Sequence, residues 1–294
     1  MEWTHRPYRD EKDFLALLAF LSDCNAAAPT AGYIQPGDLS WWLRQNEILN
    51  PPDCVEIFED DAGKILGFTF NNPLTWAAIQ ALPGTPGAVL DDMLRHVRGR
   101  AGDAELTVAA FDGDGPLMET LERQGFKRNG ERMLQYEYHP ADQGVPALPS
   151  LPAGFSFISI ADHRELSAAR VELHQAVWHP SRVTLTAYQH LRASPAYDPE
   201  LDVALMGPDG QLVSYALGWF DPHARSGLME PVGTHPEYRR SGLGHLTVQE
   251  VNRRLTERGS ERTVIVSFEK NAASVRLYAS VGFKVTGYVN DYVG

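Results

Sequence analysis

Apolar positions along the chain follow two rhythms, and the same succession of rhythms occurs twice. Residues 3–8 read as an extended start. Phe14, Leu15, Leu17, Leu18 and Leu21 then fall at the spacing of one helix face. Residues 55–58 and 65–70 are short strand-like runs. The turn sequence Asp60-Asp61-Ala62-Gly63 between them predicts a hairpin. Further on the order repeats: residues 155–160 predict a strand and 166–177 a helix. Residues 203–206 and 212–219 predict a hairpin across Pro208-Asp209-Gly210. Each half continues with helix, strand and helix to a Gly-Phe step, Gly125-Phe126 in one and Gly282-Phe283 in the other. Between the halves, HPADQGVPALPSLPAGF (139–155) holds four prolines and no periodicity, which marks a linker. The pattern predicts two tandem units of the α/β class: residues 1–140, a linker at 141–152, and residues 153–294.

Composition narrows the classes. A chain of 294 residues accommodates two domains of about 140 each. No apolar run reaches the roughly 20 residues that span a bilayer, so no membrane partner is expected. The start Met1-Glu2-Trp3-Thr4-His5-Arg6 lacks the charged-then-apolar layout of a signal peptide, and a cytoplasmic location is expected. The two cysteines, Cys24 and Cys54, form neither a metal-type spacing nor a disulfide framework, and no metal is expected. The net charge of −12 argues against a nucleic-acid partner and is compatible with a cationic substrate such as an amine. A monomer or homodimer is expected.

The densest chemical signal is Glu230-Pro231-Val232-Gly233-Thr234-His235-Pro236-Glu237-Tyr238-Arg239-Arg240-Ser241-Gly242-Leu243-Gly244, followed by a helix over 245–258. Small residues before a helix start let backbone N–H groups approach an anion. The helix offers its unpaired N–H groups and positive dipole end to the same point. Arg239 and Arg240 add charge-assisted donors. The loop carries no Gly-Lys-Ser/Thr of a nucleoside triphosphate site and no Gly-x-Gly-x-x-Gly of a dinucleotide fold. In the strand before it, Pro231 cannot donate to a ladder and Gly233 weakens one, which predicts a bulge or splay. A splayed strand can pair with an extended amide chain such as pantetheine. Glycine turns before helices are also common without a ligand, and Pro231 alone is compatible with a plain edge strand.

A second segment, Asn271-Ala272-Ala273-Ser274-Val275-Arg276-Leu277-Tyr278-Ala279-Ser280-Val281-Gly282-Phe283, follows a strand predicted at 263–268. Together the two segments resemble the GNAT superfamily of N-acyltransferases. The family pairs V-x-P-x-Y-R-x-x-G-x-G with a later N-x-x-A/S-x-x-L-Y-x-x-x-G-F, and here Thr234 replaces the usual aliphatic residue. The close match is confined to the C-terminal quarter of the chain. The resemblance implies two tandem GNAT-like domains, each a twisted mixed sheet flanked by helices. It also implies acetyl-CoA as co-substrate, bound in a V-shaped opening of the sheet. Carried over, Val232, Gly233 and Thr234 hold the pantetheine arm, and Arg239, Arg240, Ser241, Gly242, Leu243 and Gly244 hold the pyrophosphate. Asn271 contacts the cofactor chain, and Tyr278 stands near the thioester sulfur. In the first half Leu121 occupies the Tyr278 position and Asp114 the Asn271 position. Its loop Gly84-Thr85-Pro86-Gly87-Ala88-Val89 lacks arginine, so this copy is expected to be degenerate. A tandem arrangement with one degenerate half resembles the mycothiol synthase branch of the superfamily.

The resemblance implies N-acetyl transfer to a primary amine of a small molecule by direct attack in a ternary complex. Tyr278 is the expected acid toward the thiolate, being protonated at neutral pH. Glu230 and Glu269 are candidate bases. His235 reads as a turn residue, and Trp178 and His179 as a wall of the acceptor pocket. Two other readings stay open: a non-catalytic acyl-CoA sensor or scaffold, which needs neither acid nor base, and an enzyme using another acyl donor.

Overall fold

The computed structural model describes residues 2–72 and 75–294; Met1, Pro73 and Leu74 lie outside the described residues. In chain order the elements are β1 (Trp3–Pro7), α1 (Glu11–Ala27), α2 (Pro36–Arg44), β2 (Val55–Asp60), β3 (Ile65–Asn71), β4 (Trp76–Ala81), α3 (Gly87–Ala101), β5 (Thr107–Phe111), α4 (Gly115–Arg123) and β6 (Lys127–Tyr138). A single turn, α5 (Pro140–Gln143), precedes β7 (Ser156–Ser159), α6 (Ser167–Val177), α7 (Leu185–Leu191), β8 (Asp202–Met206), β9 (Leu212–Asp221), β10 (Ser226–Thr234), α8 (Leu243–Glu257), β11 (Arg262–Phe268), α9 (Ala272–Val281) and β12 (Lys284–Val293). Both predicted hairpins are present.

The chain forms two compact units, each drawn from separate stretches. The first holds Met1–Gln35, Ile48–Gln135 and Gly287–Gly294; the second holds Pro36–Glu47 and Tyr136–Thr286. Against a contiguous division at 141–152, residues 36–47 and 136–152 count with the second unit and 287–294 with the first.

The first unit has the strand order β1-β2-β3-β4-β5-β12. All its ladders are antiparallel except β4 with β5, which pair in parallel from Trp76↔Thr107 to Ala78↔Ala109. Alternation along β3 shows that both sheet faces are covered. Gly67 faces Met93 of α3, while Phe68 meets Phe20 of α1 with ring centroids 5.9 Å apart. Asp10 caps α1 by accepting from the Lys12 and Asp13 backbone N–H groups. Phe14, Leu17, Leu18 and Leu21 are buried as the pattern predicts, but Leu15 is 45% exposed. It lies about 100° around the helix from Phe14, beyond the edge of the stripe. Burial pushes the Cys24 and Cys54 thiols up to about 12, which makes them inert core groups.

The second unit repeats the scheme, with order β7-β8-β9-β10-β11-β6. Here β10 and β11 form the parallel pair, from Ser226↔Arg262 to Leu228↔Val264. Helix α2 packs on this unit: Gly37 lies so close to Trp219 that an added Cβ would be 2.4 Å from its ring. Arg170 and Asp202 form a fully buried ion pair at 2.9 Å. Asp202 also accepts from the Tyr188 and Tyr197 hydroxyls at 2.5 and 3.0 Å, and the Arg170 guanidinium lies 3.6 Å over the Tyr215 ring. Arg170→Ala would leave a carboxylate buried without its counter-charge. An expected loss of about 3–5 kcal/mol is measurable by urea denaturation, and a loss below about 1 kcal/mol would contradict the role assigned to the pair.

Candidate active site

The second unit's parallel ladder stops early. After Leu228↔Val264, β10 continues to Thr234 paired only with β9, through Val232↔Ala216, Gly233↔Tyr215 and Thr234↔Ser214. The register shifts between Met229 and Val232, which is the irregularity that Pro231 and Gly233 predict. Along residues 229–234 the strand edge on the β11 side has no ladder partner among the described residues, and this gap is the candidate opening of the sheet. The Ser214 hydroxyl donates to the Gly233 carbonyl at 3.1 Å and lies 3.1 Å from the Thr234 hydroxyl. Gly233 lies against α6: an added Cβ would come within 2.5 Å of a Val177 methyl.

At the end of β10 the chain makes a 3-10 turn over Pro236–Tyr238 and enters α8 at Leu243. His235 has the turn role, with its Nδ1 accepting from the Glu237 N–H at 3.4 Å. Arg240 and Gly242 adopt positive φ, 65° and 83°. Among the described residues no side chain caps α8, so the first N–H groups of this 15-residue helix carry the positive end of its dipole into the loop. Gly244 lets the helix approach β10, since a Cβ there would meet the Thr234 hydroxyl at 2.8 Å. Arg240 is exposed at this point. Arg239 is occupied differently from the expectation: its guanidinium donates to the Thr234 and Val177 carbonyls, both at 3.2 Å, tying the loop to β10 and α6.

The second motif is largely helix punctuation. The Asn271 carboxamide oxygen accepts from the Ser274 N–H at 3.2 Å and caps α9. Gly282, with φ 100°, ends the helix, and Phe283 is buried behind it. The first unit has the same grammar, with Asp114 capping at the Leu117 N–H, Gly125 at φ 88° and Phe126 buried. Tyr278 has no counterpart there, because Leu121 is wholly buried and carries no hydroxyl. The first unit's own β4 edge is also engaged. The Gln80 side chain, just past the end of the β4–β5 ladder, accepts from the Ile34 N–H at 3.1 Å. Gly32 packs on Phe111 and Gly113 on the Thr30 carbonyl.

Tyr278 is buried on α9, with Tyr136 set edge-on at 5.3 Å between centroids. Burial raises its phenol well above the usual range, and the neighbouring Tyr136, Tyr215 and Glu230 add to the effect. It is therefore held protonated. Glu230 sits on β10, its carbonyl accepting from the Trp219 indole at 2.7 Å. Its carboxyl is raised well above the usual carboxylate range, first by burial and then by Asp38. It hydrogen-bonds the side chains of Asp38 and Trp42, both on α2. Two carboxyls sharing a site cannot both ionise cheaply, so one keeps a proton.

The sequence pattern gives no sign of Asp38 and Trp42 as site residues, since they lie in the other half of the chain from Glu230 and in no recognisable motif. Nor does it single out Tyr215 and His174. The Tyr215 hydroxyl lies 2.7 Å from the His174 Nδ1 and accepts from the Trp178 indole at 2.8 Å. Burial, with Arg170 nearby, lowers His174 to about 3, so the ring is neutral. Trp178 is half exposed and His179 exposed beside it, while Glu269 lies exposed at the far end of β11.

Residues 164–283 match the acetyltransferase (GNAT) family. A mycothiol acetyltransferase of Thermobispora bispora is 28% identical over 207 residues, which is 63% of this chain and 68% of that one. Two solved structures share the fold. A GCN5-related N-acetyltransferase from Sphaerobacter thermophilus has a TM-score of 0.64 at 18% identity, covering 99% of this chain and 95% of that one. A tandem GNAT protein from the clavulanic acid biosynthesis pathway has a TM-score of 0.65 at 16% identity, covering 100% of this chain and 98% of that one.

Gly242→Ala forces an L side chain into the left-handed region at the start of α8. A stability loss of about 1–2 kcal/mol is expected as a lower urea midpoint at unchanged m-value; an unchanged midpoint would show that the turn relaxes.

Proposed function

On the premise that the chain is a tandem GNAT-family acetyltransferase, we propose that its second unit transfers the acetyl group of acetyl-CoA to a primary amine of a small cationic molecule, by direct attack in a ternary complex. The observation that carries this reading is the early end of the β10–β11 ladder beside a protonated tyrosine and a carboxyl of raised pKa. The pantetheine arm is an extended amide chain, and the open edge at Val232, Gly233 and Thr234 offers it a strand partner. The pyrophosphate belongs at the uncapped start of α8, among the N–H groups of Ser241, Gly242, Leu243 and Gly244. Arg240 is the cation at that point. Arg239 acts by holding the loop to Thr234 and Val177. With its oxygen committed to capping, Asn271 has its amide N–H group left for the cofactor chain.

The acceptor enters the aromatic and acidic side of the opening, near Trp42, Trp178, Asp38 and Glu230. An alkylammonium must lose a proton before it can attack. Glu230, its carboxyl raised by burial and by Asp38, is a stronger proton acceptor than an ordinary carboxylate once ionised and takes that proton directly or through water. The nitrogen lone pair then forms the bond to the thioester carbonyl carbon. A backbone N–H of the splayed strand meets the developing oxyanion. As the C–S bond breaks, Tyr278 gives its proton to the departing sulfur. The first unit, with Leu121 in place of the tyrosine and its β4 edge engaged by Gln80 and Ile34, is expected to bind no acetyl-CoA.

A panel of amines assayed by thiol release tests the reading, and failure of CoA compounds to shift the melting temperature would overturn it. Tyr278→Phe is expected to lower kcat by about 10²–10⁴-fold with acetyl-CoA affinity intact. An equal loss of affinity would make Tyr278 a packing residue. As base, Glu230 must be unprotonated, so activity falls as pH drops through its raised pKa. Asp38→Asn removes the neighbouring negative charge, lowers that pKa, and moves the acid limb of kcat/KM to lower pH. A limb that does not move would remove Glu230 from the role.

A further inference from the structure

A second cluster of chemical groups lies in the first unit and has no part in acetyl transfer. His5 stands on β1, the edge strand; Glu56 is on β2 and His96 on α3. In the antiparallel register His5 faces Phe58 and Glu56 faces Pro7, so His5 and Glu56 are diagonal neighbours on one sheet face. Helix α3 covers that face and brings His96 to the same point. The His5 Nδ1 lies 2.6 Å from one Glu56 oxygen, and the His96 Nε2 lies 3.7 Å from the other. All three donor atoms fall within 4.8 Å of one another. The two imidazole rings stand edge-on, with centroids 5.2 Å apart.

This arrangement is poorly satisfied by protein groups alone. The Glu56 side chain is 8% exposed, and a buried carboxylate needs a counter-charge. His5 supplies a partner to one oxygen only. The His96 Nε2 is buried and, among the described residues, makes no hydrogen bond, its 3.7 Å approach to Glu56 being too long for one. A dication placed among the three would engage both imidazole lone pairs and the carboxylate at once. Two imidazoles and one carboxylate suit a zinc-class ion, and three protein ligands leave a coordination position for water or substrate. A cavity of about 340 Å³ adjoins the cluster, lined by His5, Asp92, Arg95, His96, Gly99 and Arg100. Asp92 is engaged by Arg95 and by the Trp3 indole, which leaves the carboxylate of Glu56 for the ion and Arg100 as a cation on the rim. An anionic fourth ligand, such as hydroxide, would balance that charge.

We infer that His5, Glu56 and His96 form a three-ligand site for a divalent zinc-class cation, with its open position facing this cavity. The spacing of the three along the chain, across β1, β2 and α3, matches no short metal motif. The ion would tie the edge strand to the sheet and to the helix covering it.

Full-length, tag-free protein stripped with chelator and titrated with ZnCl2 or CoCl2 tests the site. The expected result is one ion per chain and, with cobalt, the intense visible bands of four-coordination. Glu56→Gln and His96→Ala are each expected to weaken binding by at least the roughly 10–100-fold that loss of a supporting partner costs at a metal site. His5→Gln, on the partly exposed edge strand, provides an independent arm should either of those variants fail to fold. No stoichiometric binding by the wild type, or equal affinity in a folded variant, would overturn the site. Neither result bears on the β10–β11 opening, whose acetyl-CoA response is read separately.

Discussion

The second unit's candidate site depends on where one ladder of hydrogen bonds stops. Strands β10 and β11 pair in parallel only from Ser226 to Leu228 and then part, while β10 keeps its partner β9 on the other side. A sheet interior normally satisfies both edges of every strand, because an unpaired buried amide is expensive. Ending the ladder inside a sheet therefore creates a polar strand edge in an otherwise apolar setting. Several features around it follow from that choice. The register shift at Met229/Val232 turns the strand, and Gly233 lets it pass close to α6 and Tyr215. Gly244 allows α8 to start beside Thr234, so its dipole points to the mouth of the opening.

The raised pKa values at the candidate site come from burial more than from any special residue type. Tyr278 is held protonated because its phenolate would be desolvated among two further phenols and a carboxyl. Glu230 is raised by burial and by Asp38 beside it. The environment thus leaves a protonated phenol and a carboxyl of raised pKa on neighbouring elements, the pairing on which the proposed transfer rests. Asp38 comes from α2, a helix that is early in sequence yet packs on the second unit through Gly37, Trp41 and Trp42. The buried Arg170–Asp202 pair and the Tyr215–His174–Trp178 network hold the neighbouring wall in one arrangement.

The two units show how duplication separates scaffold from chemistry. Both have four antiparallel-joined strands, a short parallel pair and one further strand beyond it, and both use an acidic or amide cap and a positive-φ glycine around the helix before Gly-Phe. This grammar concerns helix ends and strand pairing, so it survives in a unit without the tyrosine. The differences include Tyr278 against Leu121, a loop without arginine in the first unit, and the fate of the strand edge, unladdered in the second unit and beside the Gln80–Ile34 contact in the first.

The hydrophobic rhythm together with the fixed preferences of proline and glycine determined most helices, both hairpins, the repeated order of elements and the bulged strand, because each rests on spacing or residue type within a single contiguous segment. The loop at the start of α8 and the position of Tyr278 were legible for the same reason, being contiguous motifs. Only tertiary structure decided the composition of the units, since the exchange of 36–47 and 287–294 depends on pairing and packing between distant segments. It likewise decided that Arg239 binds carbonyls and that Asp38 and Trp42 reach Glu230. The same holds for His5, Glu56 and His96, which converge from two strands and a helix. Local sequence sets backbone conformation and which face is apolar; the pKa of a carboxyl or the partners of a histidine depend on what burial brings beside it, and that is fixed only when remote chain segments meet.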